Sequence, residues 1–131
     1  MADTFLSKTL VLANTSQTTL YTVPTTDDTA IPPTPSTTAL IKSIRLYNSH
    51  TSNVLVTLTF TDKDSDTGAD TESTLFKMNL PATYATTDSF PIGNPFEVLK
   101  MPLVANEGDA IKITAGTAAK IHVQLSVLEI T

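Results

Sequence analysis

From position 53 to position 61 the chain alternates without a break. Val54, Val56, Leu58 and Phe60 point one way, and Thr57, Thr59 and Thr61 point the other. Successive side chains of an extended backbone project to opposite faces, so a period of two predicts a strand with one dry and one wet side. This pattern constrains the fold more than any other, because the rest of the chain repeats it and no helical period of 3.6 is sustained.

Runs of the same kind lie at 5–13, 18–23, 38–48, 73–80, 96–104, 110–115 and 119–130. In the first, Leu6, Leu10 and Leu12 share a face. In 38–48 the alternation sets Leu40, Ile44 and Leu46 together, and in 73–80 it sets Phe76, Met78 and Leu80 against Lys77 and Asn79. The last run faces Ile121, Val123, Leu125 and Val127 one way, with His122, Gln124 and Ser126 opposite. Pro102 falls inside 96–104 and cannot donate to a ladder, which predicts an edge strand or one broken there. Asn106-Glu107-Gly108-Asp109 and Gly116 are turn signals. Eight short strands separated by turns predict an all-β fold: a two-sheet antiparallel β-sandwich of jelly-roll type, with an immunoglobulin-like sandwich as the alternative. Threonine dominates the composition and suits a pleated, half-buried surface.

With 131 residues, one sandwich domain spanning 1–131 is expected, large enough to bury a core without staples. Cysteine is absent, which removes disulfides, thiolate metal sites and thiol nucleophiles. The net charge is -5, from 8 basic and 13 acidic residues, and the basic ones are scattered singly. A nucleic-acid binder concentrates Lys and Arg in a patch, so no nucleic-acid partner is expected. The opening MADTFLSKTLVLANT lacks a basic leader, and Ser7 and Lys8 interrupt its apolar run, so neither a signal peptide nor a membrane span is expected.

Segment 24–37 breaks the pattern. It carries Pro24, Pro32, Pro33 and Pro35 among Thr and Asp residues, with Ile31 as its apolar anchor. Proline fixes φ, lacks an N–H and keeps the preceding residue out of the helical region, so the segment can run extended but cannot enter a sheet interior. In a polyproline II conformation it could span roughly 40 Å. Two readings follow: a surface loop lying over its own sandwich, or an arm reaching a neighbouring subunit. Under the second, the contact residues are Pro24, Asp27, Asp28, Ile31, Pro32, Pro33 and Pro35, with the N-terminal Phe5.

Candidate chemistry is sparse. In the acidic stretch DKDSDTGADTE, Asp62, Asp64 and Asp66 have the 1-3-5 spacing of a calcium loop, but Thr67 and Ser73 stand where an EF-hand needs Gly and Glu. A solvated hairpin tip explains the stretch as well, since charge there discourages stray strand pairing. His50, in NSHTSN, reads as a turn residue, and His122 as a residue of an outer face. No nucleophile elbow, phosphate loop or dinucleotide fingerprint occurs. A catalytic role, such as paired carboxylates for glycoside hydrolysis, has little support, and no cofactor is expected. A glycan-binding module would use the acidic loop with Tyr21, Tyr47 and Tyr84.

The segments TTLYTVP (18–24) and TTALIKSIRLYNSHTSNVLVTLTFTD (37–62) resemble a pattern of small tailed-bacteriophage virion proteins. PLVANEGDAIKITAGTAAKIHVQLSVLEIT (102–131) is similar to the ending of the same group, where a Gly-Asp turn precedes a short strand and a last strand. These matches cover about half the chain, and 24–37 stands where such proteins often have only a few residues. The resemblance implies a non-enzymatic virion structural protein of the capsid decoration or cement type, with neck, tail or fibre components as alternatives. It implies the major capsid protein or other virion proteins as partners, a homo-oligomer (trimer or dimer), and a place in the virion after assembly in the host cytoplasm. It transfers no catalytic residue.

Overall fold

The computed structural model describes residues 3–33, 35–63, 69–82, 96–99 and 102–131. Among them there is no helix. The strands are β1 (Asp3–Val11), β2 (Thr18–Thr22), β3 (Thr38–Asn48), β4 (Val54–Asp62), β5 (Thr71–Leu80), β6 (Phe96–Glu97), β7 (Leu103–Ala105), β8 (Ala110–Ala115) and β9 (Ile121–Ile130). They form two antiparallel sheets. One has the order β1-β9-β3-β6, with β7 also on β3, and the other has the order β2-β8-β4-β5. The immunoglobulin-like alternative would set the first strand beside the second in one sheet; here β1 and β2 lie in different sheets.

The run at 96–104 splits into β6 and β7, as the proline within it predicts. β6 pairs with Arg45 and Leu46, and β7 pairs with Ala39, Leu40 and Ile41. The Val98 N–H, just past β6, still reaches the Ile44 carbonyl at 2.9 Å. Counted as one broken edge strand, the pair completes a nested scheme. The first strand lies on the last, the second on the next to last, β3 on the broken strand, and β4 on β5.

Alternation supplies the core. Ile44, Leu46, Ile121, Val123 and Leu125 of the first sheet meet Leu20, Val56, Leu58, Ile111 and Ile113 of the second, all in one buried apolar cluster. Removing such side chains from water is the main favourable contribution to folding, at about 1.5–3 kcal/mol for each large one.

Two polar ties join the sheets at their ends. Asn48 of β3 is fully buried, and its Nδ2 donates to the carbonyls of Leu80 (3.0 Å), Pro81 (3.2 Å) and Ser52 (3.1 Å), while its Oδ1 accepts from the His50 N–H at 2.9 Å. His50 is thus the turn residue its sequence context suggests. At the other end, the Tyr21 hydroxyl of β2 donates to the Glu129 carboxylate of β9. Burial first, and then the neighbouring carboxylate, hold the Tyr21 phenol well above its ordinary pKa. Lys8 of β1 also crosses the gap, donating from Nζ to the Leu20 carbonyl at 2.8 Å.

Two expectations about faces need correction. Leu40 does not share a face with Ile44 and Leu46. The β3–β9 register shifts between Ile41 and Ser43, so Lys42 is an extra residue, and Ala39 and Ile41 face the core with Ile44 and Leu46. A bulge reverses which parity points inward, and strict alternation cannot reveal it. Second, Thr59 and Thr61 are buried although they lie on the outer side of their sheet. β4 is a central strand, and these short side chains are shaded by Lys112 and Thr74, and by Ala110 and Glu72, on its two neighbours.

The bulge yields a test. Lys42→Ala, at an exposed site, should change stability by less than about 0.5 kcal/mol. Deleting Lys42 should cost about 3 kcal/mol or more, because either Ala39 and Ile41 or Ile44 and Leu46 must leave the core. Urea unfolding of the two variants measures the difference; equal stability would contradict the assigned bulge.

Candidate functional site

Segment 24–37 leaves the sandwich at Val23, a buried residue just past β2. The Val23 N–H donates to the Asp109 carbonyl at 2.9 Å, and the Gly108 N–H donates to the Val23 carbonyl at 3.1 Å. The loop therefore starts from a fixed point on the 106–109 turn. Asp109 holds that turn from within: its buried carboxylate accepts the N–H of Asn106 at 2.8 Å and that of Lys63 at 2.9 Å. Gly108 sits at φ +81°, and a β-carbon there would come within 2.8 Å of the Lys63 side chain. Glycine alone adopts this conformation without strain.

Glu107, at the outer corner of the same turn, fastens the first end of the loop and faces the second. Its carboxylate accepts from the Thr26 hydroxyl. That bond, with weaker polar influences from the nearby Ser36 side chain and the amides of Thr26 and Thr37, holds the carboxyl below the usual glutamate range. Ser36, Thr37, Asp62, Lys63 and Glu107 border an open hollow of about 330 Å³ beneath the loop. Near the tip, the Asp27 carboxylate accepts from the Thr29 hydroxyl at 2.6 Å and the Thr29 N–H at 2.9 Å, and these bonds lower its pKa. Asp28, Pro32, Pro33 and Pro35 are exposed, Pro24 is half-buried, and Ile31 is 99% exposed. The Ile31–Pro32 peptide is cis. The loop thus has a fastened base and an apolar tip held in water.

The remaining contact residue, Phe5, lies elsewhere. On the outer face of the first sheet the register aligns Phe5 with Leu128, Leu128 with Leu40, and Leu40 with Val104. Phe5 is 77% exposed and Val104 57%, so an apolar row crosses four strands with its two ends open to solvent. Nearer the other end of this face, Arg45, Tyr47, His122, Gln124 and Thr9 border a shallow hollow of about 340 Å³. There Tyr47 and His122 pack edge to face, 5.5 Å between ring centres. His122 is half-buried on the outer face, as alternation predicts.

Among the described residues no group of three His, Asp or Glu side chains is placed to hold a metal ion. Asp62 is exposed at the end of β4; Asp64 and Asp66, the other members of the calcium spacing, lie outside the described residues, as does Tyr84. Tyr21 is turned between the sheets toward Glu129 and is not a surface platform.

Comparison with protein-family models, curated proteins and solved structures found no match.

Sequence reasoning missed Glu107 and Asp109 as site residues. Asn-Glu-Gly-Asp reads locally as a turn, and the partner of Glu107 lies 81 positions away at Thr26. The available signal was a carboxylate in a turn next to a strand, with a Thr/Ser-rich loop elsewhere needing acceptors.

The clamp should respond to pH with a definite sign. Glu107 has a lower pKa when it holds the loop than when free, so the clamp is fully present above the ordinary glutamate value of about 4.3 and is lost as pH falls through the lower folded value. NMR should show the Thr26 and Thr37 amides shifting together with a midpoint below that value, and Glu107→Ala should remove the transition. A midpoint above the ordinary value would contradict the clamp.

Proposed function

We propose that this chain is a non-enzymatic virion structural protein, of the capsid decoration type, that binds an assembled shell and stabilises it by bridging neighbouring capsid subunits. The observation that carries the reading is the Ile31 tip, almost wholly in water on a loop whose first end is fastened to the 106–109 turn. An apolar side chain costs free energy when displayed this way and gains it on entering a pocket of a partner. A proline-rich loop with a tied base has lost much of its conformational freedom beforehand, so less is lost on docking. The family resemblance of 18–24, 37–62 and 102–131 supplies the kind of partner: the major capsid protein, or another virion protein if the site is neck, tail or fibre. On the same footing, we read the nested strand pairing as a jelly roll.

The mechanism is mass action. A protein that binds the closed shell and not its separated subunits shifts the equilibrium toward the shell. Repetition over a lattice, and self-association of the sandwich, multiply modest single contacts into avidity. Phe5 offers a further apolar contact on a different face. A glycan-binding role has one feature in its favour, the Tyr47–His122 pair beside Arg45; glycan-array binding lost in Tyr47→Ala would move the assignment there.

Ile31→Asp tests the primary reading. The site is fully exposed, so the thermal midpoint should stay unchanged while retention on matching particles in co-sedimentation drops tenfold or more. Unaltered retention would refute the loop tip as the contact.

A further inference from the structure

The four sheet edges are not alike. β2 is short and its register is irregular between Thr19 and Tyr21. β5 is bulged opposite Leu58 and Thr59 and carries Glu72 and Lys77. The edge formed by β6 and β7 is two short strands, Phe96–Glu97 and Leu103–Ala105, with Pro102 just before the second. Bulges, charges, prolines and shortness are the usual devices that keep exposed edges from pairing. β1 has none of the structural ones. It pairs with β9 over its whole length, Asp3 with Ile130 through Val11 with His122, with no shift of register, and its far side has no strand partner among the described residues. It does carry an inward-pointing charge, Lys8, itself such a device, but that ammonium is already engaged by the Leu20 carbonyl of its own chain at 2.8 Å.

From these features we infer that β1 is a self-pairing edge: two copies of this chain join β1 to β1 antiparallel about a two-fold axis at Ser7, making one continuous sheet. The backbone parity fits. The Leu12 N–H bonds to the Ile121 carbonyl on the β9 side, so alternation turns the N–H and C=O groups of Val11, Thr9, Ser7, Phe5 and Asp3 to the free edge. A two-fold axis at Ser7 pairs Ser7 with itself, Phe5 with Thr9 and Asp3 with Val11, so every outward group meets an outward group of the second copy.

Side chains fit the same register. Lys8 falls opposite Leu6 and Asp3 opposite Val11, so no like charges face each other. Phe5 and Val11, 77% and 44% exposed, become diagonal neighbours across the axis, at about 7–8 Å, within reach of an aromatic ring. Each copy thus covers the apolar side chains that the other leaves in water. An isologous contact of this kind is self-complementary and closes at two copies. A foreign strand would have to reproduce this pairing; a second copy contains it already. The inference does not depend on the virion reading, because it concerns the purified chain alone.

The test uses the full chain, which has no native cysteine. Sedimentation equilibrium should show a concentration-dependent dimer. Ser7→Pro removes an N–H that points away from β9, so the melting transition should persist while the dimer dissociation constant rises tenfold or more. A short bis-maleimide should crosslink Ser7→Cys, whose thiols meet at the axis. It should not crosslink Val11→Cys, whose thiols lie about 27 Å apart at about 3.4 Å per residue. A monomer at the highest soluble concentration, a dimer indifferent to Ser7→Pro, or equal crosslinking of the two cysteine variants would each overturn the proposal. Failure of particle binding with an intact dimer would count against the virion reading alone.

Discussion

The β3–β9 ladder is the pairing on which the rest of the molecule depends. It runs from Thr38 with Ile130 to Asn48 with Ile121 and absorbs one extra residue, Lys42. Both strands are central in their sheet, so each inward side chain is covered by neighbours on two sides and by the opposite sheet. The bulge lets Ala39 and Ile41 at one end and Ile44 and Leu46 at the other all reach the core. It also sends Leu40, Arg45 and Tyr47 to the outer face, where an apolar row and a polar hollow result. The surface chemistry of this sheet therefore follows from a single inserted residue.

The second sheet holds the loop. β2 ends at Thr22, and Val23 is tied at once to the 106–109 turn that precedes β8. Asp109 is buried because it satisfies two backbone N–H groups where three chain segments meet. Glu107 is left at the corner, where its carboxylate accepts from Thr26 and lies near Ser36 and Thr37. A long proline-rich connection would lose entropy if it had to find its own position. Tied at its start to a turn that the core already orders, it has local bonds such as Thr29 to Asp27 to shape its tip. This explains how a short chain keeps a segment that is neither strand nor helix: the segment is displayed by the sandwich, with Ile31 outermost.

Much of the architecture was legible because alternation is a physical consequence of extended backbone beside a dry core. Val54, Val56 and Leu58, or Ile121 to Val127, could hardly be read otherwise. The break near Pro102 was legible for an equally local reason, the missing N–H. Features set by neighbours in space were not. Lys42 looks like an ordinary polar position, and only the register against β9 shows that it is supernumerary. Thr59 and Thr61 look wet until β4 is known to be central. Of the site, the proline-rich segment was visible as composition, while its clamp was not, since the pairing of Glu107 with Thr26 is a product of the fold.

The proposed role of this β scaffold is to grip another surface through what it displays. A cryo-EM reconstruction of particles assembled with this chain tests that most directly. The expected result is sandwich density on the outside of the shell, with the 28–33 tip entering a contact with a neighbouring capsid subunit. A reconstruction with the chain absent, or bound with that tip in open solvent, would contradict it.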